Sequence, residues 1–232
     1  MKYKVIITGS TGMVGRGVLL ECLSSDLIEE ALVINRKKIN INHSKLKEII
    51  LEDFNDIEKI SSRLEGYNAC FFSMGISSIG KSKKAYKEVT HDLTIKFSEV
   101  FLKNNPNSIF TYVSGAGTDS TENGKTHWAR VKGKTENTIL KMPFKASYMF
   151  RPGYIHPYKG VGSKTLWVSI LYIFFGIIYQ VLKYFPSTAT NSINVGKAMI
   201  FCLNGDYEKK ILNNKEINEV SDLLPSDGTV KV

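Results

Sequence analysis

Short apolar runs alternate with stretches of helical apolar spacing along the first two thirds of the chain. The run YKVIIT at 3–8 is β-branched, ends at a glycine and predicts a strand. Over 13–25 the apolar residues Val14, Val18, Leu19 and Leu23 recur at the period of a helix with one buried face. Further strands are predicted at 31–35 (ALVIN), 47–51 (KEIIL), 69–74 (ACFFSM), 108–114 (SIFTYVS) and 146–150 (ASYMF). Helices over about 83–103 and 126–141 fall between them, the second stopped by Pro143. Arg151, Pro152 and Gly153 stop the sixth strand.

The run ACFFSM is apolar enough to be covered on both faces, as strands of parallel sheets are. The alternation of strand and helix therefore predicts an α/β fold. Residues 1–156 read as a Rossmann-type, doubly wound parallel sheet of order 3-2-1-4-5-6. Residues 157–232 read as a small, mostly helical C-terminal cap on the same domain, with helical stretches near 194–203 and 213–222.

That last part opens with an unusual segment. TLWVSILYIFFGIIYQVL (165–182) has no charged residue and approaches the length that spans a bilayer. Ser169, Gly176 and Gln180 weaken a spanning reading, while Trp167, Tyr172, Tyr179, Tyr184, Lys164 and Lys183 are types that settle at a membrane interface. Three readings stand: a buried helix covering a cleft or an oligomer contact, a peripheral membrane contact through 165–185, and a true span.

Composition narrows the class. Hydrophobic residues make up 43% and charged residues 23%, which argues against disorder. Cys22, Cys70 and Cys202 lie far apart, without the spacing of a disulfide framework or a metal site, so a reducing, cytoplasmic setting and no metal are expected. The N-terminal MKYKVIITGS does not read as a signal peptide. The net charge is +9, much of it in RKKININHSKLK (36–47) and KSKKAYK (81–87). These are solvated loops or surfaces that attract an anionic cofactor or membrane. No nucleic-acid partner is expected, since no aromatic-interleaved basic motif appears.

The candidate chemistry sits in TGSTGMVG (8–15), which follows the first strand and opens the first helix. Gly9 allows the tight turn, Gly12 lets a pyrophosphate approach the backbone, and Gly15 lets the helix pack on the sheet. The helix N-terminus offers free N–H groups and a positive dipole end to phosphates, so Ser10, Thr11, Met13 and Val14 join the candidate set. Strand, turn, helix and second strand in this order predict a bound dinucleotide. The end of the second strand chooses between cofactors. An acid there grips both ribose hydroxyls of NAD. Here stands Asn35, followed by Arg36, Lys37 and Lys38. No carboxylate stands there to repel a 2′-phosphate, and Arg36 can take one in bidentate fashion. NADP(H) is favoured, with NAD(H) as the alternative.

The motifs TGSTGMVG, VINR, FFSMGIS, YVSGAGTDS, WARVKGKTEN and YMFRPG, in this order, resemble atypical short-chain dehydrogenase/reductases. The similarity is to the Tat-interacting-protein-like, epimerase-like or NmrA-like NAD(P)-binding group, and it covers about residues 3–156. The resemblance implies that Asp53 and Phe54 contact adenine, and that Gly75 lines the cofactor ribose. It implies that Ser114 is the catalytic serine, Lys132 the lysine of a YxxxK motif, and Pro152–Gly153 the turn beside the nicotinamide.

One position departs from that pattern. Where the family has the tyrosine of YxxxK, this chain has Trp128. An indole N–H donates but does not titrate usefully, so Trp128 cannot perform the acid–base step. Lys132 keeps its ribose-binding role. His127 points about 100° away around the helix. Tyr86, Tyr154 and His156 lie in segments able to reach the cleft, and Tyr154 is the best substitute. His91 reads as structural, and Asp92 as a cap or brace. Two functions stand nearly level: an NADP-dependent oxidoreductase or epimerase-like enzyme on a small carbonyl compound or sugar nucleotide, and a non-catalytic NADP(H)-sensing regulator acting through a partner protein. A membrane-peripheral scaffold is a third. An oligomer is open to all three.

Overall fold

The computed structural model describes residues 2–156 and 188–224. Its core is a seven-stranded sheet of order β3-β2-β1-β4-β5-β6-β9, every adjacent pair parallel. The strands are β1 (Tyr3–Thr8), β2 (Ile28–Asn35), β3 (Leu46–Ile50), β4 (Ala69–Phe72), β5 (Ile109–Val113), β6 (Ala146–Arg151) and β9 (Ile211–Asn213). Two further strands, β7 (Tyr154–His156) and β8 (Ala189–Asn191), pair in parallel as a small second sheet. The helices are α1 (Met13–Ser24), α2 (Lys83–Lys87), α3 (Leu93–Asn104), α4 (His127–Leu140), α5 (Ser192–Phe201) and α6 (Asn214–Asp222).

Period-two alternation splits the sheet's side chains between two apolar layers. Val5, Ile7, Val33, Phe71 and Phe150 face one side, where they meet Val18 and Leu19 of α1 and Val195 and Met199 of α5. Ile6, Ile34, Cys70, Phe72, Phe110 and Met149 face the other and meet Phe97 and Phe101 of α3 and Ile139 of α4. Burying one such side chain stabilises the fold by roughly 1.5–3 kcal/mol, so the strands have no free choice of face.

The expected doubly wound order is present, with differences at the edges. β2 begins three residues early, at Ile28, because Glu29 and Glu30 occupy its polar end; the Tyr67 hydroxyl donates to Glu30 at 2.6 Å. β4 stops at Phe72, and Ser73, Met74 and Gly75 turn into a loop. The helix expected at 83–103 carries a π-turn, Glu88–Asp92, between α2 and α3. A 3₁₀ segment, Phe54–Leu64, was not expected; it buries Phe54, Ile57, Ile60 and Leu64. In the described part of the expected helical cap, β9 extends the main sheet beside β6, so this region adds a strand as well as helices. Three residues in polar surroundings carry too short a pattern to announce a strand.

The run 165–182 lies outside the described residues. Among the described residues, no helix is long and apolar enough to cross a membrane, and no cluster of His, Cys, Asp and Glu side chains could hold a metal ion.

Candidate dinucleotide cleft and catalytic positions

In a sheet of this order the chain leaves β1 and β4 in opposite lateral directions, which opens a crevice at their C-terminal ends. A cleft of about 360 Å³ lies there. Gly9, Thr11 and Gly12 form its floor, Asn35 and Arg36 one wall, Asp53 and Phe54 the far end, and Ser73, Met74 and Gly75 the opposite wall. Val89 of the π-turn and Leu93 of α3 close one side. π-turns recur at functional sites.

Two glycines explain why the turn fits so tightly. Gly9 has φ +71°, and a Cβ there would stand 2.7 Å from the Ser73 carbonyl group. A Cβ on Gly15 would stand 2.2 Å from the Gly9 carbonyl oxygen. Gly15 thus serves the approach of α1 to the turn itself, a correction to its expected role against the sheet. At Gly12, the N-cap of α1, a Cβ would meet only the Gly9 oxygen, at 3.3 Å. No side chain caps this helix end and no acid stands in its first turn. Gly12 N–H itself donates to the Gly9 carbonyl oxygen at 2.9 Å, which closes the turn, and the positive dipole end of α1 lies at the cleft, the arrangement that receives phosphate. The cleft fits a dinucleotide in its glycine floor and its open helix end.

The other expected cofactor contacts divide. Gly9, Thr11, Gly12, Asn35, Arg36, Asp53, Phe54 and Gly75 line the cleft. Ser10, Met13, Val14, Gly15, Lys132 and Pro152 are not among its lining residues. Ser10 is fully buried, and its hydroxyl donates to Asn35 Oδ1 at 2.8 Å. Asp53 caps the 3₁₀ segment, accepting from the Asn55 backbone N–H and side-chain amide at 2.9 Å each. The expectation of no carboxylate at the end of β2 needs correction. Glu48, brought in by the β2–β3 pairing, accepts from Asn35 Nδ2 at 3.2 Å. Arg36 is exposed, with no ion pair to a described residue.

The expected catalytic residues lie beyond the end of β5. Ser114 is buried, and its hydroxyl donates to the Glu136 carboxylate, with the Phe150 carbonyl oxygen at 3.2 Å. Glu136 is completely buried and is gripped by Arg151, whose Nε lies 3.0 and 3.1 Å from its two oxygens and whose Nη2 also donates to it. Arg151 reaches on to Ser120. The Ser114 hydroxyl is thus committed inward. Lys132 donates to the Ser114 carbonyl, and burial lowers its pKa from 10.5 against the opposing pull of Glu136. The position facing the lysine is Gly115: a Cβ there would stand 3.7 Å from Lys132 Nζ. Gly115 has φ +145°, and it offers no hydroxyl.

Trp128 lies one helical turn before Lys132, and its ring edge would lie 3.3 Å from a Cβ at Gly117, in the loop after β5. Tyr86 is buried against His127, with ring centroids 6.2 Å apart, and burial raises its pKa from 10.0. Tyr154 lies on β7, paired with Ala189, and does not line the cleft. His91 Nδ1 sits 3.2 Å from Thr135 Oγ1, tying the π-turn to α4, and Asp92 pairs with Lys87. Glu136 and Arg151 are the residues that sequence reading missed. Both lie inside recognised motifs, but only folding makes them partners.

No family model matches the chain. It is 23% identical to protein HTATIP2 of Rattus norvegicus, over 92% of this chain and 87% of that protein. It is also 23% identical to the mitochondrial protein FMP52 of Candida glabrata, over 80% of this chain and 79% of that one. Among solved structures, the ADP-L-glycero-D-manno-heptose-6-epimerase of Helicobacter pylori is similar, with a TM-score of 0.67 at 14% identity, covering 96% of this chain and 81% of that one. The Bordetella bronchiseptica enzyme WbmF, solved with NAD+, has a TM-score of 0.64 at 15% identity, covering 95% and 77%. The chain is thus similar in sequence to HTATIP2 and FMP52, and its fold is similar to that of solved short-chain dehydrogenase/reductase and epimerase structures.

Proposed function

We propose that the chain binds NADP(H) in the cleft at the C-terminal ends of β1, β2 and β4, and that it works as a dinucleotide-binding protein without the tyrosine–lysine proton transfer of a carbonyl reductase. The observation that carries this reading is the glycine start of α1, with no acid in its first turn, above the Gly9–Gly12 floor, and the exposed Arg36 guanidinium at the wall. The helix end takes the pyrophosphate, and Phe54 and the Asp53 loop flank the adenine. Arg36 takes the 2′-phosphate that separates NADP(H) from NAD(H). The solved relatives named with NAD+ support a nicotinamide cofactor.

The chemistry-bearing half supports the non-reductase part. Trp128 stands in place of the titrating hydroxyl, Ser114 is turned onto Glu136, and Gly115 leaves bare the position facing Lys132. Binding without turnover fits a sensor of the NADP(H) state that acts through a partner protein. Three buried free cysteines fit a reducing compartment, the cytoplasm in our reading. A second reading keeps an oxidoreductase or epimerase-like activity on a small carbonyl compound or sugar nucleotide. It is favoured by one observation, the half-buried Lys132 ammonium held against the Ser114 carbonyl, its pKa lowered by desolvation.

The test is calorimetric titration with NADPH and NADH, followed by a carbonyl panel read by loss of NADPH fluorescence. Tight NADPH binding with no turnover is the expected result. Arg36→Ala weakens NADPH more than NADH. Equal losses for both refute the cofactor assignment, and turnover with any substrate refutes the non-reductase reading.

A further inference from the structure

The loop after β2 carries Arg36, Lys37 and Lys38 in succession. Three adjacent cations repel one another and favour a splayed, mobile arc. The structure holds both ends of that arc. At one end Asn35 is 3% exposed, and both ends of its amide are engaged: Oδ1 accepts from Ser10 and Nδ2 donates to Glu48. Its backbone carbonyl accepts from Leu51 N–H at 2.8 Å. At the other end Ile39 is 8% exposed and packs into the core layer with Val33. Its N–H donates to Glu48 at 3.0 Å, onto the same Oε1 that receives the Asn35 amide.

One carboxylate oxygen therefore ties the residue before the three cations to the residue after them. We propose that Glu48 is a positioning residue for cofactor choice: it closes the Arg36–Lys38 arc into a fixed anion-binding clamp at the cleft wall. This rests on the reading of the cleft as an NADP(H) site. Glu48 does not touch the ligand. It acts through the arc, whose two ends it joins by hydrogen bonds to a single carboxylate oxygen. Freezing the arc before binding removes an ordering cost that a mobile loop would meet on every encounter with a 2′-phosphate.

The clamp separates hydrogen bonding from charge. A glutamine at 48 keeps an acceptor oxygen within reach of both N–H groups, whereas an alanine removes it. Two readouts are taken on the full chain: dissociation constants for NADPH and NADH, and amide hydrogen exchange at Ile39. Glu48→Ala is expected to weaken NADPH by about tenfold or more. It leaves NADH within about threefold and speeds exchange at Ile39. Glu48→Gln stays near the parent in both readouts. An Ala variant that loses both dinucleotides equally, or keeps its NADPH affinity, overturns the proposal. Should the parent bind neither dinucleotide, the cofactor reading fails by itself. Exchange at Ile39 then decides the clamp, and an Ala variant no faster than the parent refutes it.

Discussion

The buried Glu136–Arg151 pair offers a sharp test of how the region beyond β5 is held. Glu136 is 0% exposed and the Arg151 side chain 14%. Replacing Glu136 by alanine leaves a guanidinium and the Ser114 hydroxyl without their acceptor, in a place water reaches poorly. Breaking a buried pair from one side costs about 3–5 kcal/mol. In a domain of this size that lowers Tm by roughly 6–20 °C. It is also a large share of the total stability of a folded domain, about 5–15 kcal/mol. The cause is the stranded charge rather than lost attraction, so the double variant Glu136→Met/Arg151→Met is the informative partner. With both charges gone and the volume filled, it recovers most of the loss, because apolar replacement of a buried pair is often neutral or better. Differential scanning calorimetry of parent, single and double variants reads the effect. A single variant within about 2 °C of the parent, where one kcal/mol already shifts Tm by that much, would show the pair to be solvated. A double variant as damaged as the single would sink the stranded-charge argument.

Three further outcomes are expected. Gly15→Ala places a methyl group 2.2 Å from the Gly9 oxygen, so the turn must open; NADPH affinity should fall by at least about tenfold while the circular dichroism of the sheet persists. Unchanged affinity would remove the turn from the binding site. Trp128→Tyr restores a titratable hydroxyl one turn before Lys132, yet it should yield little NADPH oxidation with carbonyls, because Gly115 still lacks a donor; strong gained turnover would show that donor to be dispensable. Burial lowers the pKa of His91 from its ordinary 6.5, with Lys134 and Lys87 adding to it and Asp92 and Glu122 opposing. The unfolded chain then binds the proton more readily, so stability falls as pH drops from about 6.5 through the folded value. His91→Gln should reduce the loss of Tm between about pH 7 and about pH 5, and an unaltered loss would acquit His91.

Local pattern and turn chemistry were enough for the frame of this molecule. Apolar runs of four to eight residues, a helical period between them and a glycine turn after β1 specified the six-strand order and the cofactor end of the sheet. These are short-range signals, since a strand buried on both faces must be apolar throughout and a turn with φ +71° selects glycine. The seventh strand, β9, and the small β7–β8 sheet escaped, because three residues carry almost no period and their pairing is decided by what lies alongside.

The site divides in the same way. The places of Gly9, Gly12, Arg36 and Gly75 along the cleft were legible because each belongs to a contiguous motif at a strand end, whereas Asp53 was reached only through the resemblance. The direction of the Ser114 hydroxyl was not. It depends on Glu136, 22 residues away on α4, and on Arg151 at the end of β6, which meet only when β5, β6 and α4 pack. Glu48 is similar: it reaches Asn35 across the β2–β3 register. Sequence determined which chemical groups this protein owns and where its backbone must turn. Tertiary structure alone decided which hydroxyl is spent, which cation stands exposed at the cleft and which carboxylate holds the loop. Hydrogen bonds and ion pairs are satisfied by proximity in space, and chain order does not record that.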